Sequence, residues 1–345
     1  MYLNKEESNY LNLLRIILII GVVLTHTTIF VPPPYDFTNI SYNFIYFQQE
    51  VLGEFRVPTF FILSGYLFFK NSEFNINTYI LKIQSKKKSL LLPYIIWSTF
   101  AGILHIIYDI IKTGNSKLLN PLEFIKSFFI YTGNTIHPFP INGPLWYVRD
   151  LMIIILFSPI IFKIITKIKI RHLIIIHLIT FIIIPYAKIP FTLLLNGIIW
   201  FTVGAALSLN KKSISVLLNK YSFVFYVYPI FVILNIMTRG EIIHEFIMQC
   251  TIILGIIFNA KFWWIILKKH CNINIKSASY VMFLYCSHFI VDYIKPLCTN
   301  LLSINNLIIL YIIISGTTIT ICSLLFIFAK NNTKKIFNIL VGSRQ

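Results

Sequence analysis

Charge is what this sequence has least of. Only 12% of its 345 residues are Asp, Glu, Lys or Arg, against 57% hydrophobic, whereas a soluble domain is nearer a quarter charged. Acidic residues are the scarcest, 12 against 30 basic ones. A sizeable soluble domain is therefore not expected. There is no internal repeat, no low-complexity tract and no linker, so residues 1–345 read as one membrane domain. The five cysteines (Cys250, Cys271, Cys286, Cys298 and Cys322) lack metal-ligand spacing, and most sit in apolar segments. They read as small buried hydrophobes, and no metal is expected. The first apolar segment is followed by Val31-Pro32-Pro33-Pro34 rather than a small-residue cleavage site. A retained helix is expected there, not a secretory signal.

What is abundant is apolar sequence in runs long enough to cross a bilayer. Ten spans are expected, at about 12–31, 54–70, 89–111, 144–165, 172–187, 190–209, 221–237, 243–266, 278–296 and 304–328. The fold class is therefore an all-α, polytopic membrane helix bundle. The net charge of +18 does not imply a nucleic-acid partner, because the cations cluster between apolar runs: Lys86-Lys87-Lys88, Lys163 to Arg171, Lys211-Lys212, Lys268-Lys269 and Lys330 to Lys335. About 20 of the 30 Lys and Arg fall on one side of the expected topology. The positive-inside rule makes that side cytoplasmic and places both termini there. The longest outside loop is 112–143, with a surface helix expected in Pro121 to Tyr131.

Lysine outnumbers arginine 24 to 6. Where Lys is the default cation, an Arg points to a need for its planar, permanently charged fork. Three of the six, Arg15, Arg56 and Arg149, lie in or at the edge of apolar segments. In "LLRIILIIGVVLTHT", Arg15 precedes His26 by eleven residues. Eleven helical steps make three turns and about 20°, so both project from nearly one face, roughly 16 Å apart along the axis. Snorkelling to lipid phosphate would also account for Arg15, and a helix–helix hydrogen bond for His26. Polar groups at such depth are costly and usually functional.

Three further stretches carry chemistry. "EFRVPTFFILSGYLFF" places Arg56 at the outer mouth of span two and offers Ser64-Gly65 for close helix approach. "NGPLWYVRDLMIIILFSPII" carries Trp146, Arg149 and Asp150. Adjacent helical residues point about 100° apart, so Arg149 and Asp150 are expected to find partners on other helices rather than each other. "SYVMFLYCSHFIV" puts Tyr285 and His288 in the outer half of span nine. By level, His26, Arg56, Arg149, Asp150 and His288 are expected in one outward-facing polar pocket.

These stretches resemble the acyltransferase 3 family of membrane proteins. Arg-x10-His in the first span, "RVPTFFILSGYLF", "GPLWYVRDL", "WFTVGAALS" (Trp200 to Ser208) and "YVMFLYCSH" are similar to its landmarks, in the right order. The resemblance covers nearly the whole chain. It implies a ten-helix enzyme that moves an acyl group, usually acetyl, from cytoplasmic acyl-CoA to a hydroxyl of an extracytoplasmic carbohydrate. Arg15 would belong to donor handling and His26 to the chemistry. The family often has Arg-x-x-Arg at the inner start of the third span, where this chain has Lys82 and Lys86-Lys87-Lys88. Lysines hold phosphate as point charges, without bidentate recognition. No esterase-like extracytoplasmic domain is found, so the acceptor site is expected in the membrane domain or in a partner glycan-biosynthesis protein.

The expected donor is thus acetyl-CoA, its anionic end on Arg15, Lys86, Lys87 and Lys88. His26 would act as general base or as a transient acyl carrier. Asp150 or His288 would support it, and Arg56, Arg149, Trp146 and Tyr285 would face substrate. A glycan exporter and a membrane scaffold or sensor are the competing classes. The absence of a repeated half speaks against the exporter.

Overall fold

The computed structural model describes residues 5–28, 38–70, 74–133, 138–187, 191–210, 218, 221–269, 278–302 and 306–343. Cys271, the Lys211-Lys212 cluster and Val31 to Pro34 lie outside these residues. Among them the chain is almost entirely helical. A two-stranded antiparallel ribbon, β1 (Thr132–Gly133) with β2 (Pro138–Phe139), is the sheet present.

Among the described residues, seven helices are long and apolar enough to cross a membrane: Lys5–His26, Ile40–Phe69, Ile76–Thr113, Thr192–Leu209, His244–Lys269, Ala278–Leu302 and Leu307–Asn332. Arg171–Tyr186 and Val224–Met237 are apolar but shorter. Each falls on one of the expected spans. The expected span 144–165 is instead two helices, Trp146–Leu156 and Ser158–Lys167, broken at Phe157. Pro159, at the start of the second helix, explains the break. Its ring lacks an N–H and crowds the turn before it. The exterior is as apolar as the interior: Ile103, Ile107, Ile111, Ile230, Ile233, Ile312, Leu324 and Phe328 are all exposed. Such a surface is at home only against lipid.

Four helices position the site, here called α1 (Lys5–His26), α2 (Arg56–Phe69), α3 (Trp146–Leu156) and α4 (Thr192–Leu209). α1 runs through the bundle and buries Tyr10, Leu11, Leu14, Leu18 and Ile19. It is pinned near both ends. Tyr10 Oη donates to Ala260 O at 2.8 Å, and Thr27 Oγ1 shares a 2.6 Å hydrogen bond with Ser315 Oγ. α2 and α4 pack backbone to backbone. A Cβ on Gly65 would strike Phe201 O, and one on Gly204 would strike Ile62 O. Small residues are the usual means of close packing in a membrane, where the hydrophobic effect does not drive helices together. Here they join Ser64-Gly65 to the "WFTVGAALS" stretch.

A candidate active site where two chambers meet at His26

The quoted motifs converge. Ser64 Oγ and Tyr147 Oη are 2.8 Å apart, and Tyr147 Oη also donates to Phe60 O at 3.3 Å. Asn142 Nδ2 donates to Cys286 O at 3.1 Å, and Tyr285 Oη donates to Pro144 O. The α2, "GPLWYVRDL" and "YVMFLYCSH" segments are therefore tied to one another through side chains that lie inside the bundle.

Two cavities flank this junction. The first, about 430 Å³, is lined along α1 by Arg15, Ile19, Val22 and His26. Spacings of four, three and four make these one helical stripe. Lys86, Ser64, Trp146, Tyr147 and Tyr285 complete much of its wall. The second, about 540 Å³, also includes Val22, His26 and Trp146. Its polar wall includes Thr25, Gln49, Glu50, Glu54, Asn196, Gln249 and Lys295; its aromatic wall includes Phe61, Phe181 and Trp200. His26 thus stands on the boundary of both chambers, with Arg15 three turns away in only one of them. Both volumes are in the usual range for small-molecule sites.

His26 has a histidine neighbour. Its ring centroid is 5.1 Å from that of His288, with the planes tilted by 51°. His288 is fully buried, and its Nδ1 lies 3.1 Å from Leu284 O. A carbonyl only accepts, so Nδ1 carries the hydrogen and Nε2 keeps its lone pair. That Nε2 has no hydrogen-bond partner among the described residues. Arg15 is half-buried and donates to Asn12 Oδ1 at 3.4 Å.

Other expected site residues lie elsewhere. Arg56 does not face the pocket. It is 6% exposed, and its Nη1 donates to Gly21 O and Thr25 Oγ1 on α1. Gly21 is needed there, because a Cβ would fall on the guanidinium. Arg56 therefore braces the turn that precedes His26.

Arg149 and Asp150 pair with each other, contrary to the expectation from helical directions: Arg149 Nε donates to Asp150 Oδ1 at 2.8 Å. The long Arg side chain folds back across the 100° between neighbours, which a wheel of Cβ directions does not capture. Arg149 Nη1 also donates to Phe129 O and Pro138 O, at 2.7 and 2.9 Å, tying α3 to the loop and its ribbon. The pair lines a third, mostly apolar cavity with Lys86 and Lys87, not the His26 chambers. The single pocket expected for five residues is therefore divided, with His26 and His288 together and the other three apart. Lys88 lines none of these cavities.

The pair makes a stability prediction. Removing one partner of a buried charge pair costs about 3–5 kcal/mol, and Arg149 and Asp150 are 9% and 2% exposed. Asp150→Ala should lower the thermal midpoint and the folded yield in detergent. A variant as stable as the parent would show that the pair carries no structural load.

The second chamber's polar wall was missed in the sequence. Gln49 and Glu50 sit in a π-helical turn, Phe47–Val51, that leads toward α2. Such turns are rare and frequent at functional sites. A signal was present: two of the chain's 12 acidic residues, Glu50 and Glu54, are four apart beside an apolar span. Asn196 and Gln249 had no comparable signal.

Fold and site together define a multi-pass membrane protein with two chambers joined at a histidine. Residues 8–327 match the family model for the acyltransferase domain, Acyl_transf_3, and the chain belongs to that family. It is also similar to succinoglycan biosynthesis protein ExoH of Rhizobium meliloti (strain 1021), 28% identical over 176 residues. The match takes in 48% of this chain and 45% of that protein, so it spans about half the length of its curated relative. No solved structure matches significantly.

Proposed function

We propose that this protein transfers an acyl group, in the first instance acetyl, from acyl-CoA to a hydroxyl of a carbohydrate outside the cell membrane. The observation that carries the reading is the shared position of His26 on two chambers, one with Arg15 and Lys86, the other rich in neutral polar groups and aromatic rings. The donor's anionic end would meet Arg15 and Lys86, and its thin arm would follow the stripe of Ile19 and Val22. The thioester would then stand at His26. A sugar in the second chamber would attack from the other side. Its oxygen forms the new bond to the acyl carbon as the carbon–sulfur bond breaks. The hydroxyl proton passes to the neutral His26 ring and then to the departing thiolate. Lone-pair-bearing Nε2 of His288 would accept from the His26 N–H and orient that ring, as a positioning residue. Transient acylation of His26 itself is the competing route.

In this reading the first chamber opens to the cytoplasm, the chain crosses ten times and both termini are cytoplasmic. The lysine asymmetry supports that orientation. Single cysteines in the 112–143 loop should be labelled by an impermeant maleimide in intact cells. Labelling only after lysis would reverse the topology. The function itself is tested by mass spectrometry of surface glycans with and without the protein: one sugar should lose the mass of one acyl group. An unchanged glycan profile would count against it.

A further inference from the structure

Among the described residues, Val22, His26, Val57 and Trp146 are the ones that line both chambers. Two of the four are aliphatic, so the polar chemistry of the junction falls to His26 and Trp146. His26 takes and returns a proton in the proposed transfer. That leaves the indole.

The chain on either side of Trp146 is tethered. Trp146 opens α3, directly after the 3-10 turn Gly143–Leu145. Asn142 Nδ2 is bonded to Cys286 O, Pro144 O accepts from Tyr285, and Tyr147 is bonded to Ser64 and Phe60 O. In the middle of these tethers the half-buried Trp146 makes no side-chain hydrogen bond among the described residues. An indole N–H donates and does not accept, so it does not compete with His26 for a proton.

The transfer creates a demand for such a group. As the hydroxyl oxygen attacks the acyl carbon, its proton goes to His26 and the carbonyl electron pair moves onto the carbonyl oxygen. When the pair returns, the carbon–sulfur bond breaks and the thiolate takes the proton from His26. In between, that oxygen is an anion. Hydrogen-bond donors fixed in advance toward such a charge are usually the largest single contribution to catalysis. Other side chains nearby are occupied or distant. Tyr147 gives its one hydroxyl hydrogen to Phe60 O, so Ser64 gives its own to Tyr147. Tyr285 gives its hydrogen to Pro144 O, and Lys295 lines the second chamber without the first. Arg15 lies three turns from His26.

Building on the proposed acyl transfer, we infer that Trp146 is a catalytic residue whose indole N–H donates to the oxyanion formed at the thioester carbonyl. Its tethered neighbours hold the indole at the junction before the reaction begins.

The test compares two coenzyme A analogues on the full chain in nanodiscs. Both replace the thioester sulfur by methylene. One keeps a neutral methyl ketone, and the other carries a methylphosphinate whose tetrahedral P–O⁻ stands in for the oxyanion. Trp146 is replaced by benzothienylalanine, which exchanges the N–H for sulfur and keeps the ring's shape. The phosphinate should then bind about tenfold to a hundredfold more weakly, as for loss of a hydrogen bond to a charged group, while the ketone stays within about threefold. On the same samples, kcat for acetyl transfer to surface glycan from the source cells should fall about a hundredfold to a thousandfold, with the KM for acetyl-CoA unchanged. Trp146→Phe also lacks the N–H and should reproduce the split if the first variant folds poorly. Equal losses for the two analogues, or no loss for the phosphinate, would overturn the inference while parent transfer leaves the acyltransferase reading standing. A parent protein that binds neither analogue and transfers no acetyl would sink that reading, and this assignment with it.

Discussion

His26→Gln should lower acyl transfer by about two to four orders of magnitude, the usual contribution of a general base. Glutamine keeps a hydrogen bond and much of the side chain's bulk but takes up no proton. The packing around α1 should survive, because Tyr10 and Thr27 pin the helix independently of the ring. Acyl-CoA binding should stay within a few-fold, since Arg15 and Lys86 are untouched. The measurement pairs donor binding with glycan acylation on one purified preparation. Near-normal transfer by His26→Gln would reduce His26 to a wall residue and move the catalytic assignment to His288, whose Nε2 has no partner among the described residues.

The second large effect is at Arg15. Both Arg15→Ala and Arg15→Lys should reduce transfer sharply while the protein still inserts and folds. A hydrogen bond to a charged group contributes about 1.5–3 kcal/mol, so losing it should cost roughly ten- to a hundredfold or more in kcat/KM. The loss should appear mainly in the KM for acyl-CoA, because Arg15 stands three turns from His26 and, on the proposed reading, would meet the donor's anionic portion rather than the reacting carbonyl. Lysine keeps the charge but lacks the planar fork. Full activity in Arg15→Lys would show that charge alone suffices.

How much of this was legible in the sequence depended on whether a feature was local. The α1 stripe was legible because a single helix fixes it: Arg15 and His26 share a face by periodicity alone. The helix positions were legible because long apolar runs have few alternatives in lipid. The fourth span was not, because averaging hydropathy across Phe157 to Pro159 hides a backbone break that depends on one ring. Arg149 and Asp150 were misjudged because directions along a helix say nothing of how far a flexible guanidinium reaches. Arg56 begins its helix, but only the folded chain shows its fork turned onto Gly21 O. The second chamber was the least legible part. Glu50, Asn196, Gln249 and Lys295 come from four separate stretches of the chain. Each alone is an ordinary polar residue near a helix end.

The two-chamber arrangement around His26 is tested most directly by sided reconstitution. Protein is oriented in sealed liposomes, radiolabelled acetyl-CoA is supplied on the Lys86 face alone, and surface glycan from the source cells is supplied on the opposite face alone. Label should reach the glycan, and His26→Gln should abolish that transfer without making the vesicles leak. Label that reaches the glycan only when both substrates share one face would contradict the central claim.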